Sequence, residues 1–289
     1  MRLKKDSHLA ILKRQTNSYK GQNGLVLVIG GSLDYVGAPA LSALAALRAG
    51  SDIVRLAAPE KAALAINALS PDLITVKLSG NHISRSHMHA LVGLAQKSDA
   101  VLIGPGLAIT DRAFVNALLK KISSMNMPLV VDADALKLAD ISSLKNCIIT
   151  PHRKEFELFL RNNKRKGLID SLAAPVSDAK KVMMIREGLA DFFEGNNVLL
   201  LKGPHDLVIS DNEYLVSKGG NPGMTVGGTG DILAGLCVGY LSQTHEPFLS
   251  ASLASVNCKR IGDLLFHKSN FGFGFIASDF LKEIKRLKR

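Results

Sequence analysis

Five apolar runs in this chain each break off into small or charged residues, and that repetition restricts the fold more than any single motif. Gly24-Leu25-Val26-Leu27-Val28-Ile29 carries no charge, which marks a strand buried on both faces. It gives way to Gly30-Gly31-Ser32 and then to an Ala/Leu-rich stretch, residues 38–48, with a proline near its start and Ala49-Gly50 behind it. That stretch reads as a helix. Residues 52–57 form the next strand. Strand, glycine loop, helix and strand in this order make a parallel crossover unit.

The alternation continues. Strands are expected at 73–78, 99–103, 128–131, 147–150 and 198–201, with a hairpin of 208–209 and 214–216 turning at Asp211-Asn212. Helices are expected at 113–122, from 155 to about 160, and at 179–193, 229–243, 248–267 and 277–287. Met183-Met184 falls inside one of these and reads as core. No repeat or linker divides the pattern, so the expectation is one α/β domain over 1–289, built in three α/β/α layers on a mostly parallel sheet. Gly30-Gly31-Ser32, Gly104-Pro105-Gly106, Asp132/Asp134, His152/Glu155 and Lys202-Gly203 all fall just past a strand. In open parallel sheets that edge holds the ligand.

Bulk properties remove several classes. The net charge of +11 resides in the lead-in 1–20 at +5, residues 161–166 at +4 and the tail 282–289 at +4, leaving −2 for everything else. A nucleic-acid face would spread its charge over one surface and interleave aromatics; solvated basic ends account for this pattern better. No run of about 18 uncharged apolar residues predicts a membrane span. The first fourteen residues lack the apolar core of a secretion signal. Three dispersed cysteines, Cys147, Cys237 and Cys258, suit a reducing cytoplasm rather than disulfides or zinc. His82, His87 and His89 cluster, but their polar neighbours indicate a solvated loop.

The densest chemistry lies at residues 219–235, GGNPGMTVGGTGDILAG. Glycines expose backbone N–H groups, and apolar residues spaced by three and four mark a helix beginning at the same point. Unpaired N–H groups at a helix start, with the helix dipole, form an anion site. Asp231 lies directly behind it, where a carboxylate can take the proton of a hydroxyl attacking a phosphoryl group. A helix start also stabilises carboxylate, which opposes basicity. The plain alternative is a mobile loop ahead of a core helix. Neither G-x-x-x-x-G-K-[ST] nor a strand-linked G-x-G-x-x-G occurs.

Gly-Gly-Thr-Gly-Asp at 227–231 resembles the anion hole and catalytic aspartate of the ribokinase-like superfamily. The longer run at 220–235 resembles its ADP/ATP-dependent NAD(P)H-hydrate dehydratases. Further matches are KGQNGLVLVIGGS (20–32), YVGAPALSALAALRAG (35–50), IGPGL (103–107), VVDADAL (130–136), ITPH (149–152) and KGPH (202–205). The resemblance implies a ribokinase-like fold and a repair reaction. ADP or ATP phosphorylates the C6 hydroxyl of hydrated NADH or NADPH, and phosphate then leaves. It assigns Asp231 as the base and the backbone of Gly228, Thr229 and Gly230 as the anion hole. Lys202, Gly203, Pro204, His205, Asp206 and Gly230 would line the nucleotide site. Ala38, Gly104, Gly106 and His152 would hold the hydrate with Asp231. It also implies Mg²⁺ bridging phosphates and a homo-oligomer; Glu155 and Asp132 are the acids the sequence itself offers to hold the ion through water. Relatives commonly place Pro-Gly where Arg153-Lys154 stands, so this turn must do without glycine. With about twenty residues ahead of the first strand, a separate epimerase or spontaneous interconversion would supply the reactive epimer.

Plainer readings accompany these. His152 suits a helix start or solvent, His205 a turn, and Lys202 a phosphate contact or turn support. Asp132 and Asp134 share a face if the strand continues, or one caps the next helix. Two other functions fit parts of the sequence. One is a ribokinase-like kinase of a small alcohol, such as a hydroxymethylpyrimidine, a thiazole or a sugar. The other is a basic nucleic-acid-binding protein using its charged ends.

Overall fold

A computed structural model describes residues 14–268 and 272–284; most of the basic lead-in and the end of the basic tail therefore lie outside the described residues. The first half contains β1 (Leu25–Ile29), α1 (Gly37–Ala49), β2 (Ile53–Pro59), α2 (Glu60–Leu69), β3 (Ile74–Leu78) and α3 (Met88–Ala95). It continues with β4 (Ala100–Ile103), α4 (Arg112–Ser124), β5 (Leu129–Val131), α5 (Ala133–Leu138) and β6 (Cys147–Ile149). Next come α6 (Arg153–Asn162), α7 (Lys166–Ala173), α8 (Asp178–Gly188) and α9 (Ala190–Phe193). β7 (Val198–Leu201), β8 (Asp206–Ile209), β9 (Tyr214–Ser217), α10 (Thr229–Thr244), α11 (Pro247–Lys268) and α12 (Ala277–Ile284) complete it.

The strands form one nine-stranded sheet in the order β3-β2-β1-β4-β5-β6-β7-β8-β9. β3 through β7 run parallel; β8 and β9 are added antiparallel at the edge. Continuous apolar runs are what this arrangement requires, because each central strand is covered twice. Val26 and Val28 pack with α1, α2, α10, α11 and α12, whereas Leu27 and Ile29 pack with the other helices, α3 to α9. The expected three-layer α/β/α fold is thus present. Chain order reverses beside β1, between β2 and β4, which opens a crevice at the carboxyl edge.

Several local expectations differ. The helix expected over 179–193 is two, α8 and α9, parted at Leu189, whose φ of −130° and ψ of 32° are not helical. Met183 is 61% exposed rather than core. His87 is buried, not solvated: its Nδ1 accepts from the Ser84 N–H at 3.1 Å at the entry to α3. The helices α2, α3, α5 and α7 fall outside the expected set. Asp132 and Asp134 point apart. Asp134 accepts from Ala108 N–H and Lys137, whereas Asp132 is buried and makes no side-chain cap.

Candidate active site

The strand ends converge as anticipated. Gly31 N–H donates to Pro105 O at 2.9 Å, and Gly104 N–H donates to Ile29 O at 3.1 Å. These bonds join the loops after β1 and β4. Gly106 abuts Tyr35, and the Pro39 ring wedges against both loops. Ala38 lies on the first turn of α1 beside them. The proposed hydrate residues Ala38, Gly104 and Gly106 therefore occupy one face of the crevice.

α10 begins opposite. Its N-cap, Gly228, has φ 94° and no room for a side chain: a Cβ would fall 2.8 Å from both Ala277 and Leu41. Only glycine accepts both conditions. The Thr229 hydroxyl is consumed by the carbonyls of Met224 at 2.8 Å and Val226 at 3.0 Å, so its contribution to an anion is its backbone N–H. The N–H groups of Thr229, Gly230 and Asp231 begin the helix without an intrahelical acceptor. Asp231 is the acid of that first turn. Ser42 Oγ bonds the Asp231 carbonyl at 2.9 Å and the Ala38 carbonyl at 3.2 Å, tying the start of α10 to the first turn of α1.

Charges gather behind this turn. Lys202, just beyond β7, donates from Nζ to Asp132 Oδ1 at 3.2 Å and lies 3.7 Å from Glu155 Oε2. It also touches Gly230, where a Cβ would be 3.4 Å from the ammonium. Thr150 donates to Asp132 as well, at 2.7 Å. Burial opposes the Lys202 charge, but Asp132 and Glu155 prevail and raise its pKa. Asp231 goes the other way from an ordinary aspartate. Burial pushes its carboxyl up to about 7, with repulsion from Asp132 and Glu155 adding and Lys202 partly offsetting. The expected poor basicity of a helix-start carboxylate is thus overturned by desolvation and neighbouring anions.

His152 and Glu155 cap α6 reciprocally: His152 Nδ1 accepts from Glu155 N–H at 3.3 Å, and Glu155 Oε2 accepts from His152 N–H at 3.0 Å. Arg153 and Lys154 are the first two residues of the helix, where ordinary negative φ suffices. The turn needs no glycine. With Nδ1 so engaged, neutral His152 carries its proton on Nε2. The Lys202 backbone bridges to His152 across the strand ends.

A cleft of about 710 Å³ runs from Lys202 and Gly230 past Gly203 and Pro204 to Asn221 and Met224. Lys259 on α11, missed in the sequence, organises its wall. Only 5% exposed, its ammonium bonds the carbonyls of Gly203 and Pro204 at 2.9 and 3.0 Å and pairs with Asp206 at 3.2 Å. Asp206 is held by Gly203 N–H and Ser255 as well, so it shapes the loop. The His205 ring turns to Asp178, 3.2 Å away. Cys258 also lines the cleft, but burial pushes its thiol up to about 12, leaving no nucleophile.

A resident Mg²⁺ bound directly does not fit these residues. The Lys202 ammonium occupies the space between Asp132 and Glu155 where a cation would sit. Among the described residues no three or more His, Cys, Asp or Glu form a metal-binding group. Contact through water is what the two acids retain.

Comparison with known proteins accords with this geometry. A family model described as NAD(P)H-hydrate dehydratase matches residues 26–286. A bifunctional NAD(P)H-hydrate repair enzyme of Methanothermobacter thermautotrophicus is 41% identical over 96% of this chain and 52% of its own length. The chain thus spans about half the length of that relative. An ADP-dependent (S)-NAD(P)H-hydrate dehydratase of Cenarchaeum symbiosum is 38% identical over 84% of this chain and 81% of its own. A Bacillus subtilis ADP/ATP-dependent NAD(P)H-hydrate dehydratase co-crystallised with ATP/Mg²⁺ shares the fold. Its TM-score is 0.74 at 24% identity, covering 96% of this chain and 94% of that one. With strand ends, helix start and sequence in agreement, the chain belongs to the NAD(P)H-hydrate dehydratase family.

Proposed function

We propose that this protein restores NADH or NADPH from its hydrate, using ADP or ATP to turn the C6 hydroxyl into a phosphate leaving group. The observation that carries the reading is Asp231 with its raised pKa, one residue behind Gly228-Thr229-Gly230 at the start of α10. Asp231 takes the hydroxyl proton as that oxygen bonds the terminal phosphorus and the bond to the departing nucleotide breaks. Phosphoryl transfer passes through a loose transition state, so positioning and charge stabilisation dominate. The free N–H groups of Gly228, Thr229 and Gly230, with the Lys202 ammonium, supply that stabilisation. The ring nitrogen lone pair then expels phosphate from C6. Loss of a proton from the adjacent carbon re-forms the double bond.

Gly203 and Pro204 line the donor side, and Ala38, Gly104, Gly106 and His152 the hydrate side. Lys202 already engages Asp132 and Glu155, which favours Mg²⁺ entering on the nucleotide phosphates, as part of the substrate. Incubation with hydrated NADH, Mg²⁺ and either ADP or ATP should return dihydronicotinamide absorbance. If neither donor restores it, the reading is wrong. Within this fold a small-alcohol kinase would need the same base and anion hole, and turnover of a thiazole or hydroxymethylpyrimidine alcohol in the same assay would favour it.

A further inference from the structure

The start of α10 is tied to a turn that is itself anchored on another helix. Pro222–Thr225 makes one short helical turn. Asn221 Oδ1 accepts from Gly223 N–H at 3.0 Å, and the Asn221 carbonyl accepts from Met224 N–H at 3.0 Å. The turn docks on Gly262 of α11. Asn221 donates to the Gly262 carbonyl at 2.9 Å, and the Met224 thioether packs on the same glycine, where a Cβ would stand 2.4 Å from the sulfur. Between this turn and the helix come Gly227 and Gly228. Gly227 has open space where a side chain would be, and Gly228 has a φ of 94°; two adjacent glycines leave a backbone free to take many conformations. Thr229 Oγ1 spans them. Its hydroxyl reaches back to Met224 O at 2.8 Å and Val226 O at 3.0 Å, joining the first residue of α10 to the anchored turn.

We infer that the Thr229 hydroxyl is a positioning group for the phosphoryl site, acting through the residues 224–228 that it closes into a loop. The backbone N–H of Thr229 belongs to the anion hole; its side chain fixes where that N–H and its neighbours point before a ligand arrives. Donors held in advance where charge develops stabilise the transition state more than the bound substrate. The inference rests on the dehydratase reading and adds to it a side chain whose role is indirect. A hydroxyl is what the position requires: serine can serve, whereas valine has the shape without the donor.

The test compares Thr229→Val and Thr229→Ser with the unaltered protein, using hydrated NADH, Mg²⁺ and whichever of ADP and ATP is the working donor. Thr229 is half-buried and valine copies its shape, so both variants should fold. With valine, kcat should fall about 10- to 100-fold, the cost of donors displaced by about 1 Å, while KM for the nucleotide stays within about threefold. Serine should keep kcat within about threefold, because the hydrogen bond is kept. Hydrogen exchange of the backbone amides over 224–230 is measured in parallel without ligand. Valine should speed it by about tenfold or more, and serine should not. An unchanged kcat with valine, a serine variant as slow as valine, or exchange unaltered by valine would overturn the inference while leaving the dehydratase reading intact. Absence of turnover by the unaltered protein with either donor would strike the dehydratase reading, and the exchange rates would still decide whether the Thr229 hydroxyl holds the loop.

Discussion

Lys202 Nζ stands 3.2 Å from Asp132 Oδ1, both side chains largely shielded from water, at the edge where the sheet meets the start of α10. The pair sets the electrostatic level of the site. Lys202 is the one group acting to lower the Asp231 pKa, and Asp132 is the strongest charge raising it.

Lys202→Met removes that restraint and, on the proposed mechanism, a donor to phosphate together. Its kcat/KM should fall by about 10²–10³, and the acidic limb of its pH profile should move upward. Unchanged steady-state kinetics would remove Lys202 from the site.

For the unaltered protein, kcat/KM should rise with pH and level off above about 7, as Asp231 loses its proton. Asp132→Asn withdraws a negative neighbour, so its limb should move to lower pH. A limb that stays put in this variant would mean that another group controls the profile.

Asp231→Asn should reduce turnover by at least about 10²–10⁴ while nucleotide binding persists. It should also stabilise the fold. The folded carboxyl is pushed up to about 7 from 3.8, so between those values the native state holds a proton that the unfolded chain releases. Native stability is therefore lost as pH rises across that window, and the deficit persists above it. The Tm gain of the variant should be small near pH 4, grow towards 7 and then level off. A gain independent of pH would contradict this account.

Gly228→Ala meets a positive φ and contacts of 2.8 Å, so it should cost about 1–3 kcal/mol in chemical denaturation. Gly227→Ala has open space and no unusual φ, and should change stability by less than about 0.5 kcal/mol. Equal effects would place the constraint elsewhere.

Much of the architecture was legible because burial on both faces leaves strands no choice but continuous apolar sequence, as in residues 25–29. The site edge was legible for a related reason: glycine and proline at 104–106 and polar residues at 132, 152 and 202 interrupt those runs where the sheet ends. Lys259 was not. A lysine on a long helix ordinarily faces solvent, and only folding brings the carbonyls of Gly203 and Pro204 to it. Asp132 and Asp134 diverge because α5 begins immediately after Asp132, ending the strand alternation that would have aligned the two. His87 looked solvated because the serine that binds its ring is itself exposed and polar. The raised pKa of Asp231 comes first from burial and then from the approach of Asp132 and Glu155, and neither is visible in local chain order.

The seam between α1 and α10 is mechanically stiff. Ser42 clasps the carbonyls of Ala38 and Asp231, and α10 lies directly on α1, so close that a Cβ on Gly235 would come within 2.2 Å of the Ser42 carbonyl. Backbone thus meets backbone with no side chain as cushion. The Asp231 turn and the Ala38 turn share one rigid frame, and an error in their alignment has no soft element to absorb it. Room for change at this edge lies in the loops after β1 and β4, not in the seam beneath them.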